Sequence, residues 1–322
     1  MIPILFTGGT ISMRHDPSIG GAIPALSGRD ILAATRGLDE VADVEIEEWG
    51  AFPGPHMTVE RMWALRNRIA EHLGRPEVDG VVVTHGTDTL EESAYLNART
   101  IAPEKPIVFT GAMRTASELG WDGPSNLIDA ARVAAHNESR GYGVMVVISG
   151  RVYAGLDVTK AHTYLLDAFE SPGLGPLGVL DDGQVVYRRA LPPAPPPLAV
   201  TNPALPIDIV PAYSGADARL LDASCEQALG VVIAAMGRGN IPPAMVPGVE
   251  RWVAEEKPVV IASRALRGRV GKTYGYPGGG RRLHDLGAMF AGSRRPQQAR
   301  IELSLALGAR LAGSELRRLF EE

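Results

Sequence analysis

Cysteine is almost missing from this chain. Cys225 stands alone, so no intrachain disulfide can form and nothing in the sequence asks for an oxidising compartment. Its thiol reads as a packed side chain. A basic excess is missing as well: 37 acidic residues against 32 Lys and Arg give a net charge of -5, which excludes broad attraction to phosphate backbones or anionic lipid. Nucleic acid is therefore not an expected partner. No apolar run approaches the roughly 20 residues of a membrane helix, and no basic segment precedes the first apolar stretch. A soluble, cytoplasmic protein without membrane association is expected. The seven histidines include no H-E-x-x-H, and the one H-x-E, His136-Asn137-Glu138, lacks the paired cysteines of a zinc deaminase. No metal is expected. Neither G-x-G-x-x-G nor a lysine-containing phosphate loop occurs.

What is there reads as α/β architecture. The 322 residues are 45% hydrophobic, enough for a sizeable core. From residue 2 to about 187, β-branched runs alternate with helical patterns. The strand runs are Ile2 to Phe6, Val44 to Trp49, Gly80 to Thr84, Pro106 to Thr110 and Val144 to Ile148. Thr58 to Leu73 reads as a helix after a threonine cap, and Thr89 with Glu92 as a capping box opening another. Such alternation predicts a parallel sheet covered by helices. Prolines then crowd Leu191 to Pro206, at 192, 193, 195, 196, 197, 203 and 206, where neither a helix nor a central strand can continue. We expect a catalytic domain over 1–190, a linker over 191–206 and a smaller α/β domain over 207–322. In the last, Ile207 to Pro211, Gly230 to Ala234 and Pro258 to Ala262 read as strands, and Ala216 to Ala228 and Pro243 to Glu255 as helices.

Open α/β sheets bind ligands where loops leave the carboxyl ends of strands. Thr7-Gly8-Gly9-Thr10-Ile11 follows the first strand and joins two glycines, which permit close backbone approach, to a hydroxyl residue. By itself it also fits a plain glycine turn. Thr84-His85-Gly86-Thr87-Asp88-Thr89 sets hydroxyls and a carboxylate before a helix N-terminus, where Thr89 fits a simple cap. Asp157-Val158-Thr159-Lys160 holds a lysine beside hydroxyls in a chain where arginine far outnumbers lysine, a setting in which the amine can lose its proton. A solvated surface lysine is the plainer reading of that segment alone. Together the three supply a threonine nucleophile, a second hydroxyl to hold water, an orienting acid and a lysine base.

In this order the three segments resemble the bacterial-type L-asparaginase family. The likeness extends through Gly111-Ala112-Met113-Arg114, Asp122-Gly123-Pro124 with Asn126-Leu127, Gly175-Pro176-Leu177-Gly178, Gly237-Arg238-Gly239-Asn240 and Arg295-Pro296-Gln297-Gln298-Ala299-Arg300, the last near the family's C-terminal helix. The resemblance implies a larger Rossmann-like N-terminal domain with a parallel-rich sheet and a smaller C-terminal α/β domain. It implies hydrolysis of L-asparagine to aspartate and ammonia through an acyl-threonine, with Thr10 as nucleophile and Thr87, Asp88 and Lys160 completing the catalytic set. It places substrate contacts at Gly9, Gly54, Pro55 and His56, and at Gly86, Ala112 and Asn240, the last supplied by a neighbouring subunit. No cofactor is implied. A homo-oligomer is, at least a dimer and expected as a tetramer.

Two positions depart from the pattern. Where relatives carry a tyrosine in the mobile loop after the nucleophile, Ser12 to Gly28 has none, and Ala22 holds the matching place. The serine that meets the substrate carboxylate in relatives falls on Gly54, which offers an N–H but no hydroxyl. Tyr274 and Tyr276, in the glycine-rich segment Lys272 to Gly280, become candidates to activate Thr10 of a neighbouring chain, with His15 a weaker one. The alternatives in view are a glutaminase-asparaginase of mixed specificity, an amidase component of a tRNA-dependent amidotransferase, which the lack of a basic extension disfavours, and a catalytically weak small-ligand sensor.

Overall fold

The computed structural model describes every residue except Pro103, residues 192–194 and Glu322; Pro192 and Pro193 of the expected linker lie outside the described residues. The chain forms two compact units, Met1–Pro197 and Leu198–Glu322.

The first unit begins with β1 (Ile2–Gly8), whose seven residues are all buried. A hairpin follows, β2 (Met13–Asp16) and β3 (Gly21–Pro24), then α1 (Gly28–Ala34) and α2 (Leu38–Val41). The segment Ser12 to Gly28, expected as a loop, is thus a hairpin leading into a helix. Ser27 and Asp30 form a reciprocal capping box at the start of α1. Next come β4 (Val44–Phe52), α3 (Val59–Leu73), β5 (Val81–Thr84), α4 (Leu90–Thr100), β6 (Ile107–Thr110), α5 (Gly123–Ala135) and β7 (Val144–Ile148). β8 (Arg151–Ala154), β9 (Thr159–Lys160), β10 (Phe169–Glu170), β11 (Gly178–Asp181) and β12 (Gln184–Tyr187) complete it.

Eight of these strands form one sheet in the order β12-β11-β8-β7-β6-β5-β1-β4. β4, β1, β5, β6 and β7 run parallel, and β8, β11 and β12 are added antiparallel. The parallel strands read as unbroken apolar runs because both of their faces are covered. Alternate residues separate by period two: Ile4, Phe6, Val82, Val108, Met145 and Val147 join the core under α1 and α5. Leu5, Val81, Val83, Ile107, Phe109, Val144 and Val146 join the core under α3 and α4. Each such side chain contributes roughly 1.5–3 kcal/mol on burial, so the sheet's centre is the stable platform on which the loops stand. The connection from β1 runs to β4 on one side and that from β5 to β6 on the other, which makes the carboxyl ends of β1 and β5 the topological switch point, with the end of β4 next to them.

The second unit repeats the logic at smaller scale. Its strands are β13 (Ile207–Pro211), β14 (Gly230–Ala235), β15 (Val259–Ser263) and β16 (Met289–Phe290), adjacent in that order and all parallel. α6 (Arg219–Cys225), α7 (Val246–Ala254) and α8 (Gly280–Leu286) cover one face; α9 (Pro296–Gly308) and α10 (Gly313–Glu321) cover the other. α6 is shorter than the expected Ala216 to Ala228, because a turn closed by Ala216 N–H on Tyr213 O precedes it and the chain leaves the helix after Cys225.

Candidate active site

Three loops leave the switch point side by side. Thr10 follows β1 on a single 3₁₀ turn, closed by the Ser12 N–H (3.0 Å) and the Ser12 hydroxyl (2.9 Å) on Gly9 O. Gly54, Pro55 and His56 form the turn after β4, with Gly54 buried and the other two exposed. His85 to Thr89 follow β5. These loops touch through glycine backbones. A Cβ at Gly9 would lie 2.6 Å from Gly86 Cα, and one at Gly86 would lie 2.5 Å from Gly54 Cα. Any side chain at either position would therefore push the loops apart. Thr10 and Thr87 are in this way brought to one place, next to the glycines that touch.

The Thr87 side chain is buried and its hydroxyl accepts a hydrogen bond from Lys160 Nζ at 2.9 Å. The same ammonium sits 2.7 Å from Asp88 Oδ1, with Lys160 largely buried and Asp88 open to solvent. Two expectations change here. Lys160 is paired with a carboxylate and not with hydroxyls alone. It also belongs to no loop at a parallel strand's carboxyl end: β8 runs antiparallel to β7, and the chain turns back after Ala154 to form β9, where Lys160 pairs with Phe169.

Thr89 was expected to cap α4 in a box with Glu92. It occupies the cap position without a side-chain cap, because its hydroxyl donates to Gly54 O at 2.9 Å and so ties the β5 loop to the β4 loop. The N–H of Gly9 is bound to Phe52 O at 2.9 Å and is not free for a ligand. Among the described residues the N–H of Thr87 has no partner, nor does the Thr10 hydroxyl.

Ala112 is fully buried with its side chain in the core under α5, so only its main chain is available to a ligand. Its loop is held by Asp122 and Asn126, which the resemblance included without giving either a role. Asp122, which precedes a Gly-Pro pair and looks like a cap, instead accepts from the N–H groups of Met113 (3.0 Å) and Arg114 (2.9 Å). Asn126 donates to Gly111 O at 3.0 Å and accepts from Ser149 N–H at 2.9 Å. His15, the weaker candidate, faces Ala22 across the β2–β3 hairpin and is exposed.

His85, within the segment Thr84 to Thr89, was given no role there. Its ring is wholly buried, and burial pushes its pKa down to about 4. Its signal was its place in that segment, between the fully buried strand β5 and the helix α4.

The other candidates belong to the second unit. Asn240 closes a tight turn on Met236, N–H to O at 2.9 Å, and its Oδ1 is buried without a partner among the described residues. Tyr274 and Tyr276 stack with ring centroids 5.5 Å apart, about half exposed. Their glycine-rich segment is a folded turn: Gly279 N–H donates to Tyr276 O (2.8 Å) and Arg281 N–H to Tyr274 O (2.9 Å). Among the described residues neither phenol hydroxyl has a hydrogen-bond partner.

No helix of the described residues is long and apolar enough to cross a membrane. Residues 1–193 match the family described as Asparaginase, N-terminal, and residues 206–320 the Glutaminase/Asparaginase C-terminal domain. A probable L-asparaginase of Deinococcus radiodurans is 37% identical, over 100% of this chain and 97% of that one. A glutaminase-asparaginase of Pseudomonas aeruginosa is 29% identical, over 100% and 90%. The crystal structure of a probable cytoplasmic L-asparaginase from Campylobacter jejuni superposes with a TM-score of 0.88 at 30% identity, covering 99% of this chain and 98% of that one. With both of its parts matched and a relative alike over its whole length, the chain belongs to the asparaginase family and is an amidohydrolase.

Proposed function

We propose that the chain hydrolyses the side-chain amide of L-asparagine to L-aspartate and ammonia through an acyl ester on Thr10. The observation that supports this most is the pair of contacts from Lys160 Nζ to Thr87 Oγ1 (2.9 Å) and Asp88 Oδ1 (2.7 Å), beside the loop that carries Thr10. An amide is a poor electrophile with a poor leaving group, so its cleavage needs an activated nucleophile, oxyanion stabilisation and a proton for the departing nitrogen. Thr10 Oγ forms the new bond to the amide carbon and gives up its proton; the C–N bond breaks and nitrogen leaves as ammonia. Water held at Thr87 then adds to the ester, and release of aspartate restores the Thr10 hydroxyl. Lys160 and Asp88 carry protons between these steps. The Thr87 N–H meets the oxyanion, an interaction whose loss costs on the order of 3 kcal/mol.

Gly54, Pro55, His56, Gly86, the Ala112 main chain and Asn240 of a neighbouring chain surround the substrate in this reading. A phenol of a neighbouring chain, Tyr276 before Tyr274, activates Thr10. The enzyme then acts as a cytoplasmic homo-oligomer, at least a dimer and expected as a tetramer. Light scattering tests the assembly, and full specific activity in a monomer sinks it. The name of the Pseudomonas relative makes glutamine the second substrate to consider. Ammonia release measured in parallel from L-asparagine, L-glutamine and D-asparagine tests the function. L-asparagine is expected to give the highest kcat/KM; release from none of the three overturns the proposal.

A further inference from the structure

The buried imidazole of His85 touches the site without being part of the catalytic set just described. Its Nδ1 lies 2.9 Å from Gly86 O and its Nε2 2.8 Å from Ser93 Oγ on α4. A carbonyl only accepts, so Nδ1 must carry the proton; Nε2 is then an acceptor, and the Ser93 hydroxyl donates to it. One tautomer satisfies both contacts. Burial also keeps the ring neutral, since it pushes the pKa down to about 4. Phe109 packs against the ring in an edge geometry with centroids 6.0 Å apart, and the main-chain N–H of His85 donates to Thr110 O at 2.8 Å.

The consequence lies in the next peptide. The Gly86–Thr87 bond is trans, so its C=O and N–H point in opposite directions. With Gly86 O held by the imidazole, and more weakly by Thr89 N–H at 3.4 Å, the Thr87 N–H is directed away from the ring and left without a partner among the described residues. Gly86 has no side chain to steady this peptide, and the contact with Gly54 forbids one. The steadying group has to come from elsewhere.

We propose that His85 is a positioning residue for amide hydrolysis: held as its Nδ1–H tautomer, it fixes the plane of the Gly86–Thr87 peptide and so aims the Thr87 N–H at the developing oxyanion. This rests on the reading of Thr10 and Thr87 given above. A histidine that merely fills the core can be replaced by an apolar side chain of like size without loss of turnover, whereas a positioning histidine cannot. His85→Leu is expected to lower kcat roughly tenfold with KM little changed, a part of the 10²- to 10³-fold that a lost oxyanion donor costs. His85→Asn, whose amide can donate from near the Nδ1 position, is expected to recover most of that loss.

The second measurement needs no variant to turn over. In the wild-type enzyme with ring-labelled histidine, the signal that His85→Asn removes is expected to report the Nδ1–H tautomer and to stay neutral from pH 8 to about pH 5. A proton on Nε2, titration at the ordinary imidazole pKa, or wild-type kcat in His85→Leu overturns the proposal. Thr10→Ala assayed alongside separates the two readings. If it stays active, the assignment of the nucleophile falls; if it is dead while His85→Leu turns over normally, only the role of His85 falls.

Discussion

The two units share an architecture but use their polar side chains differently. Each is built on a row of parallel strands with helices on both faces and loops gathered at the carboxyl ends of those strands, the first with antiparallel strands added at one edge. In the second unit side chains tie those loops together: Ser263 Oγ donates to Gly237 O at 2.7 Å, and Arg264 Nη1 to Ala212 O at 3.1 Å. In the first unit much of that tying falls to backbone, with Gly9 against Gly86 and Gly86 against Gly54. Thr10, Thr87, Asp88 and Lys160 are thereby left for one another or for a substrate. The fold is common to both; the chemistry depends on which groups the loops need for their own cohesion.

The largest expected effect breaks this comparison most directly. If the first unit alone carries the nucleophile, Thr10→Ala should lower kcat on the order of 10⁴-fold or more, with circular dichroism and assembly unchanged. Turnover near wild type in a folded Thr10→Ala would move the chemistry elsewhere. Next in size, Lys160→Met should reduce kcat on the order of 10³-fold, within the range of a proton-transfer group. Lys160 touches both Thr87 and Asp88, so the losses should not add: Lys160→Met with Asp88→Asn should be little worse than Lys160→Met alone. Multiplicative losses would show that the two act independently.

How much of this was legible in the sequence follows from where the information lies. Val81 to Val83 and Val144 to Ile148 announced themselves as strands because burial on both faces leaves no room for polar residues. Thr58 was readable as a cap because its partner, the Arg61 N–H, is three residues away. Thr89 has the same local pattern and a different fate, since its hydroxyl goes to Gly54, 35 residues distant, and no local rule ranks that partner against the cap. The nucleophile loop and the Thr87-Asp88 pair were legible as strand-end chemistry. The carboxylate beside Lys160 was not, because a chain reversal after an antiparallel strand brings it there. His85 stayed hidden for a related reason: nothing in the letters says that a histidine beside a glycine will be sealed inside and bound to that glycine's carbonyl.

The smallest of these effects concerns the second unit and sharpens the comparison from the other side. Among the described residues no group of the chain's own first unit hydrogen-bonds the Thr10 hydroxyl, yet a threonine is a weak nucleophile until something takes or polarises its proton. Two of the second unit's three tyrosines, Tyr274 and Tyr276, stand in the glycine-rich turn with hydroxyls that have no partner among the described residues. Tyr274 and Tyr276 stack on one another on a turn fixed by main-chain hydrogen bonds, with exposures of 42% and 51%, so their hydroxyls are presented on a constrained support. The plainer account is that they are aromatic anchors of a surface turn. Substitution by phenylalanine separates the two accounts, because it removes a hydroxyl and leaves the stacked ring. If a phenol from a neighbouring chain serves Thr10, one variant, with Tyr276→Phe the first choice as the more exposed, should lose kcat on the order of 100-fold while the other changes little. The loss should appear with the assembly intact by light scattering. In mixed oligomers, Thr10→Ala chains combined with Tyr276→Phe chains should regain activity, which they can do only if the two residues act across chains. Wild-type turnover in both variants would return the Thr10 proton to a route within the first unit, through bound water to Lys160.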